Sequence, residues 1–358
     1  MVFLVELLIL ITVGLVMLFS ASFANALYYK GDSLYFIKRQ AGFAIMGIVA
    51  MLIISKIDYH ILHKFALPLY VVSIILLGIV LFFPPTNGAR RWIPGPISFQ
   101  PSEIAKFSMI LLFSHLISLE PKRMGEFKHG FVRFILFMLP IVALLIVEPH
   151  LSGTIIMIAL CFSLMFMGGT KLRYFAMAAG VVPVGILAII LSGKIEYAMS
   201  RLNGWFDPFS DVQGETYQTA QSLIAIGSGG VFGKGLGNSI QKFLFLPEPQ
   251  NDFIFAIVCE ELGLIGAIGV IVLFGILIWR GYQISIKAKD KFGSLLAAGI
   301  VFQVGIQAIL NIAVVTNTLP NTGISLPFFS YGGTSLMMLM AQMGVVLSVS
   351  RYSSVNKT

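Results

Sequence analysis

The 358-residue chain is 57% hydrophobic and only 11% charged, less than half the charged share of about 25% in an ordinary soluble domain. A mean hydropathy of +0.91 excludes a soluble globular class. The net charge of +8 does not make it a nucleic-acid binder, because its 24 Lys and Arg are dispersed between apolar runs rather than gathered in a patch; they read as topology determinants and contacts to anionic lipid headgroups.

A hydrocarbon core takes about 20 helical residues to cross. Apolar runs at about 2–21, 40–55, 65–83, 103–119, 132–148, 152–168, 173–192, 252–279, 293–316 and 332–350 predict an all-α polytopic membrane protein of about ten transmembrane helices. The length suits one transmembrane domain over 1–358, with a long loop, 193–251, between helices 7 and 8. The first run resembles a signal peptide, with Ala24-Asn25-Ala26 as a processing site, but no basic residue precedes it and Glu6 interrupts it, so a retained helix is expected. Cys161 and Cys259 both fall in apolar segments, where two thiols form neither a disulfide framework nor a metal cluster.

Basic residues then set the sides. Fourteen of the 24, among them Lys56, Arg123, Arg280 and Arg351, lie in one set of short connections and the tail. The other ten include four in the long 193–251 segment, where the rule is weak. The first set is therefore expected inside, with both termini in the cytoplasm and 193–251 outside.

Three outer connections carry the unusual residues. In Asn87–Lys106, Pro101 tolerates the first turn of a helix and Glu103 complements its positive end, three residues from Lys106 on the same face. This is either a capped helix start with a local ion pair or a polar cluster facing a cavity, with Arg90, Arg91 and Lys106 available to a phosphate. Arginines beside Trp92 equally suit an interfacial lipid anchor. In the long segment, Tyr217–Ile226 reads as a short amphipathic helix on or dipping into the membrane. The glycine run 227–237 fails the phosphate-loop pattern, with Ser228 in place of its first Gly and Gly235 in place of its Ser or Thr, and reads as a flexible or close-packed loop. In 319–335, two prolines and several hydroxyls without Lys or Arg fit a re-entrant segment, buried in protein or lining a wet cavity.

Asp252 stands at the mouth of the eighth helix. It is either an N-terminal cap, with Asn251 beside it, or a general base at the membrane–water boundary. Glu260 and Glu261 lie roughly 12–14 Å further along a helix, with Glu261 turned to the opposite face, and are expected to be internal polar contacts of the bundle.

The stretches NGARRWI (87–93), QPSEIAK (100–106), YQTAQSLIAIGSGGVFGKGLG (217–237), LPEPQNDFIFAIVCEELG (246–263) and LPNTGISLPFFSYGGTSL (319–336) together resemble the SEDS family of bacterial wall-building proteins, FtsW, RodA and SpoVE, in family order and over nearly the whole chain. The resemblance implies a glycosyltransferase that polymerises lipid II into glycan strands at the outer face of the plasma membrane, with inversion. It implies Asp252 as the essential acid, and the chemistry suits that residue as catalytic base, with Arg90, Arg91, Glu103, Lys106, Gln250 and Ser330 expected to form the substrate-binding set. It further implies undecaprenyl-diphosphate-linked glycan as the substrate, a class B penicillin-binding protein as transpeptidase partner, and other divisome or wall-synthesis proteins. No sequence motif marks a metal site, so a divalent cation, Mg or Mn, stands only as an alternative to the basic side chains for the departing diphosphate. One departure matters: the family often reads Pro-Asp-Leu-Gly-Thr after the fifth helix, and this chain has Pro149-His150-Leu151-Ser152-Gly153. The rival reading is a lipid II flippase, which predicts essential acids deep in the bundle and on both sides of it; catalysis concentrates them at the outer mouth. A non-enzymatic division scaffold leaves the outward polar groups without a purpose.

Overall fold

The computed structural model describes residues 2–84, 90–95, 99–179, 205–211, 214 and 216–353. Its helices are α1 (Val2–Lys30), α2 (Tyr35–Lys56), α3 (Ala66–Val80), α4 (Pro101–Leu119), α5 (Arg133–Val147), α6 (Leu151–Gly168), α7 (Tyr217–Gly229), α8 (Ile254–Ile286), α9 (Lys291–Val315) and α10 (Gly333–Tyr352). A 3-10 turn at Tyr59–Phe65 leads into α3 and a π turn at Lys128–Val132 into α5. Among the described residues the one β pairing is an isolated bridge, Ile93 to Phe99. The chain is an all-α, multi-pass membrane protein, with nine described segments long and apolar enough to cross a membrane. These correspond to nine of the ten expected spans. Most of the remaining one, 173–192, lies outside the described residues, as does the loop up to 204.

Several helices, α1 and α2 among them, outrun their apolar runs because hydropathy marks only the part in hydrocarbon. Thus α1 continues through Asn25 to Lys30, and α2 begins at Tyr35 rather than near 40, carrying Lys38, Arg39 and Gln40 in its first turns. The start of α4 follows the expected chemistry: Gln100 is extended, Pro101 opens the helix and Glu103 lies in the first turn. Large apolar side chains such as Ile45, Leu136 and Trp279 remain exposed along the spans; a bilayer covers such a surface, which water would not tolerate.

The chain forms two compact units. Unit 1 comprises Met1–Ala44, Val182–Leu277 and Gly305–Gly333; unit 2 comprises Ile45–Val181, Ile278–Val304 and Thr334–Thr358. In unit 2, α3 to α6 pack on one another around buried Phe113 and Phe134. Both cysteines are free and buried, Cys161 in unit 2 and Cys259 in unit 1.

In unit 1, the glycine run resolves as close-packed. It crosses α8 where that helix breaks at Gly263, whose φ is 66°. Amides of Lys234 and Gly235 donate to the carbonyls of Glu260 and Glu261 at 3.0 Å, and Leu264 donates to Gly230 at 2.9 Å. A side chain at Gly233 would collide with the Glu261 carbonyl, so this backbone-to-backbone approach requires glycine. The expected amphipathic segment is α7. Residues 319–332 are non-helical and bury Ile324, Leu326, Phe328 and Phe329, as a re-entrant segment demands.

Candidate functional site

Asp252 belongs to unit 1 and precedes the first residue of α8, Ile254, by two positions. Its side chain is half-buried against the re-entrant segment: a β-carbon at Gly323 would lie 3.2 Å from its Oδ2. Its backbone is held from α9. The side-chain amide of Asn311, fully buried, donates to the carbonyl of Asp252 at 2.7 Å and to that of Ile324 at 2.6 Å. Beside it, the Gln250 carbonyl accepts from the Tyr331 amide at 2.8 Å, while Gln250 Oε1 is buried without a hydrogen-bond partner. The Ser330 hydroxyl is engaged within its own segment, accepting from the Leu326 amide at 2.7 Å, and the Ser330 carbonyl accepts from Gln40. The loop and the re-entrant segment are thus tied together around the carboxylate.

Glu260 and Glu261 do not bind other spans alone; they hold the loop that leads to Asp252. Glu260 accepts from Lys234 at 2.7 Å, from the Ser239 hydroxyl at 2.5 Å and from the Ile240 amide at 3.0 Å. Glu261 accepts from Lys242 at 2.9 Å and from Ser20 of α1 at 2.6 Å. Lys242, Glu260 and Glu261 are all buried, so each charge is paired, as a dry environment requires.

The other expected site residues lie in unit 2. Glu103 and Lys106 form a buried ion pair of 2.9 Å at the start of α4. Arg91 donates to the Pro149 carbonyl at 2.9 Å, and the exposed Arg90 to that of Leu81 at 2.8 Å. Two residues of the α5–α6 connection complete the group. Glu148 is buried with Oε1 unpartnered, and burial pushes its carboxyl up to about 8 against the opposing charge of Arg91. His150 is buried with Nδ1 unpartnered; burial, then the charges of Arg91 and Lys106, push it down to about 3. At neutral pH Glu148 is therefore a carboxylic acid and His150 an uncharged imidazole, leaving two cations against the single carboxylate of Glu103. The Glu103–Lys106 pair is thus one part of a polar cluster.

Among the described residues, no three or more His, Cys, Asp and Glu side chains are arranged to hold a metal ion. At the start of α4 and the α5–α6 connection the donors do not fit one: Glu103 is occupied by Lys106, and the charges of Arg91 and Lys106 act on His150. An apolar pocket lined by Ile54, Ile61, Leu62, Met338 and Val345 touches α4 only at Phe107 and contains one acid, Asp58, so no chemistry is placed there.

Sequence reasoning missed Asn311 and Glu148. Their signal was available: each is a polar residue within or at the end of a strongly apolar run.

A multi-pass protein with these buried polar groups at its helix ends is matched over residues 1–355 by the family model described as cell cycle protein, that of FtsW, RodA and SpoVE. The chain belongs to this family. It is similar to stage V sporulation protein E of Bacillus subtilis, with 41% identity covering 97% of this chain and 95% of that protein. It is 36% identical to the probable peptidoglycan glycosyltransferase FtsW of Geobacter sp. strain M18, covering 98% and 96%. The crystal structure of the rod-shape-determining protein RodA of Thermus thermophilus has a TM-score of 0.72 at 26% identity, covering 98% of this chain and 96% of that one.

Proposed function

We propose that this protein is a peptidoglycan glycosyltransferase that polymerises lipid II at the outer face of the bacterial plasma membrane, with both termini in the cytoplasm. The observation that carries the reading is the setting of Asp252: a carboxylate at the mouth of a membrane helix, its backbone pinned by Asn311 and its side chain against Gly323. A carboxylate held in place in this way suits a base that must meet one hydroxyl in one orientation.

Asp252 takes the proton of a sugar hydroxyl on the acceptor. The oxygen attacks the anomeric carbon of the donor glycan from the face opposite the lipid diphosphate; the C–O bond to the diphosphate breaks with inversion, and the leaving group carries away the electron pair. In unit 2, Arg91 and Lys106, with the exposed Arg90, offer cationic groups suited to a diphosphate. Glu103 orients Lys106, and Gln250 Oε1, buried and unpartnered, would accept from a substrate hydroxyl or amide that reached it. Ser330 shapes the re-entrant segment through its bond to Leu326. Cross-linking of the strands falls to a class B penicillin-binding protein, with other wall-synthesis proteins assembling around the pair.

The test is purified protein with its transpeptidase partner and lipid II, resolved on a gel. A ladder of glycan polymer is expected. Lipid II moved across vesicle membranes without polymer formation would replace this reading with a flippase.

A further inference from the structure

The Pro-Asp-Leu-Gly-Thr pattern and this chain differ at three positions, and two of those differences are one structural change. A β-carbon at Gly153 would lie 2.7 Å from both Cε1 and Nδ1 of His150. The imidazole therefore occupies the space into which a threonine at 153 would grow, and histidine at 150 goes with glycine at 153. The ring thus accommodated is only 7% exposed and its Nδ1 is buried without a hydrogen-bond partner. Arg91 and Lys106 are both near enough for their charges to act on it. For the fold alone this is a costly arrangement, since a buried polar atom is normally satisfied.

We propose that His150 is a diphosphate-binding residue, and that this part of unit 2 takes the lipid-linked diphosphate directly on Arg91, Lys106 and His150, without a bridging divalent cation. The inference rests on the glycosyltransferase reading, which supplies the diphosphate. An aspartate at 150 would set a carboxylate against the incoming anion; a hard cation with oxygen ligands is the usual way to reconcile carboxylate with phosphate. The uncharged ring removes that conflict. In either tautomer it offers one N–H to a phosphate oxygen, and it supplies no oxygen ligand of the kind Mg prefers.

The full-length protein in detergent, with inorganic pyrophosphate as probe, is titrated calorimetrically in EDTA and again in magnesium; lipid II polymerisation is followed in the same preparations. The unaltered protein should bind pyrophosphate within about twofold equally in both buffers. His150→Asp with Gly153→Thr should bind at least about tenfold more weakly in EDTA and recover with magnesium, because a like charge then faces the anion. Gly153→Ala, which crowds the ring without changing charge, should weaken binding several-fold in either buffer, and it decides the matter if the double variant does not fold. Binding that needs magnesium in the unaltered protein, or binding in EDTA unchanged by these substitutions, overturns the proposal. If the unaltered protein polymerises lipid II but needs magnesium to hold pyrophosphate, only the role of His150 falls. If it holds pyrophosphate in EDTA but makes no polymer with its partner present, the glycosyltransferase reading falls instead.

Discussion

Asn311 holds Asp252 by its backbone: the buried amide donates to the Asp252 carbonyl at 2.7 Å and, with its other hydrogen, to Ile324 at 2.6 Å. One side chain near the C-terminal end of α9 thus fixes both the loop bearing the acid and the segment packed against it. Asn311→Ala leaves two carbonyls short of a donor, at a cost of about 1–3 kcal/mol for each that stays dry. A small displacement of a catalytic group costs on the order of 10²-fold in rate, so turnover should fall by about ten- to a hundredfold while the KM for lipid II changes little. Asn317→Ala, which breaks a bond of 3.0 Å to the Trp205 carbonyl in the same unit, is the control. It should lower thermal stability without that loss of turnover; equal losses in both variants would reduce Asn311 to a packing residue.

The pair Lys242–Glu261 predicts that a second substitution rescues the first. Both side chains are buried and meet at 2.9 Å, with Ser20 bonded to the same carboxylate. Lys242→Met leaves a carboxylate uncompensated in a dry setting, and breaking a buried pair in this way costs about 3–5 kcal/mol. Adding Glu261→Gln removes the charge and should restore most of the lost melting temperature in detergent. If the double variant is as unstable as Lys242→Met, the pair is not coupled as described.

Glu148 and His150 make opposed contributions to stability against pH. The Glu148 carboxyl is raised by burial from 4.5 to about 8, so between these values the folded protein holds a proton that the unfolded chain has released, and stability falls as pH rises. His150 is lowered by burial from 6.5 to about 3, so in that interval the unfolded chain holds the extra proton and stability grows with pH. The two slopes cancel between 4.5 and 6.5, where the windows overlap. From pH 6.5 to 8 only Glu148 acts, and stability should decline by about 1.4 kcal/mol per pH unit. Glu148→Gln should flatten the melting temperature over that interval; a slope unchanged in the variant would show that Glu148 is ionised in the fold.

Much of this was legible in the sequence, for reasons that also mark where legibility stopped. Spans follow from transfer free energy, a local property, and the Glu103–Lys106 pair follows from helical spacing. The departure at His150 was visible as a departure, but its link to Gly153 was not, because it depends on the direction of one ring. Asn311 was passed over for a similar reason: a lone asparagine in an apolar helix announces a partner without saying which. The break in α8 at Gly263 was not legible, since Gly266 and Gly269 in the same run stay helical and nothing in the sequence sets Gly263 apart from them; only the crossing of the glycine run explains it.

The most direct test of the central claim is lipid II polymerisation by Asp252→Asn. The substitution keeps the side-chain volume, an oxygen that accepts a hydrogen bond, and the backbone bond from Asn311; it removes the basicity. Positioned acid–base catalysis contributes about 10²–10⁴-fold, so glycan polymer should disappear, by at least about a hundredfold, from a variant that inserts, melts and binds pyrophosphate like the parent. Near-normal polymer from such a folded variant would contradict the assignment of Asp252 as the base.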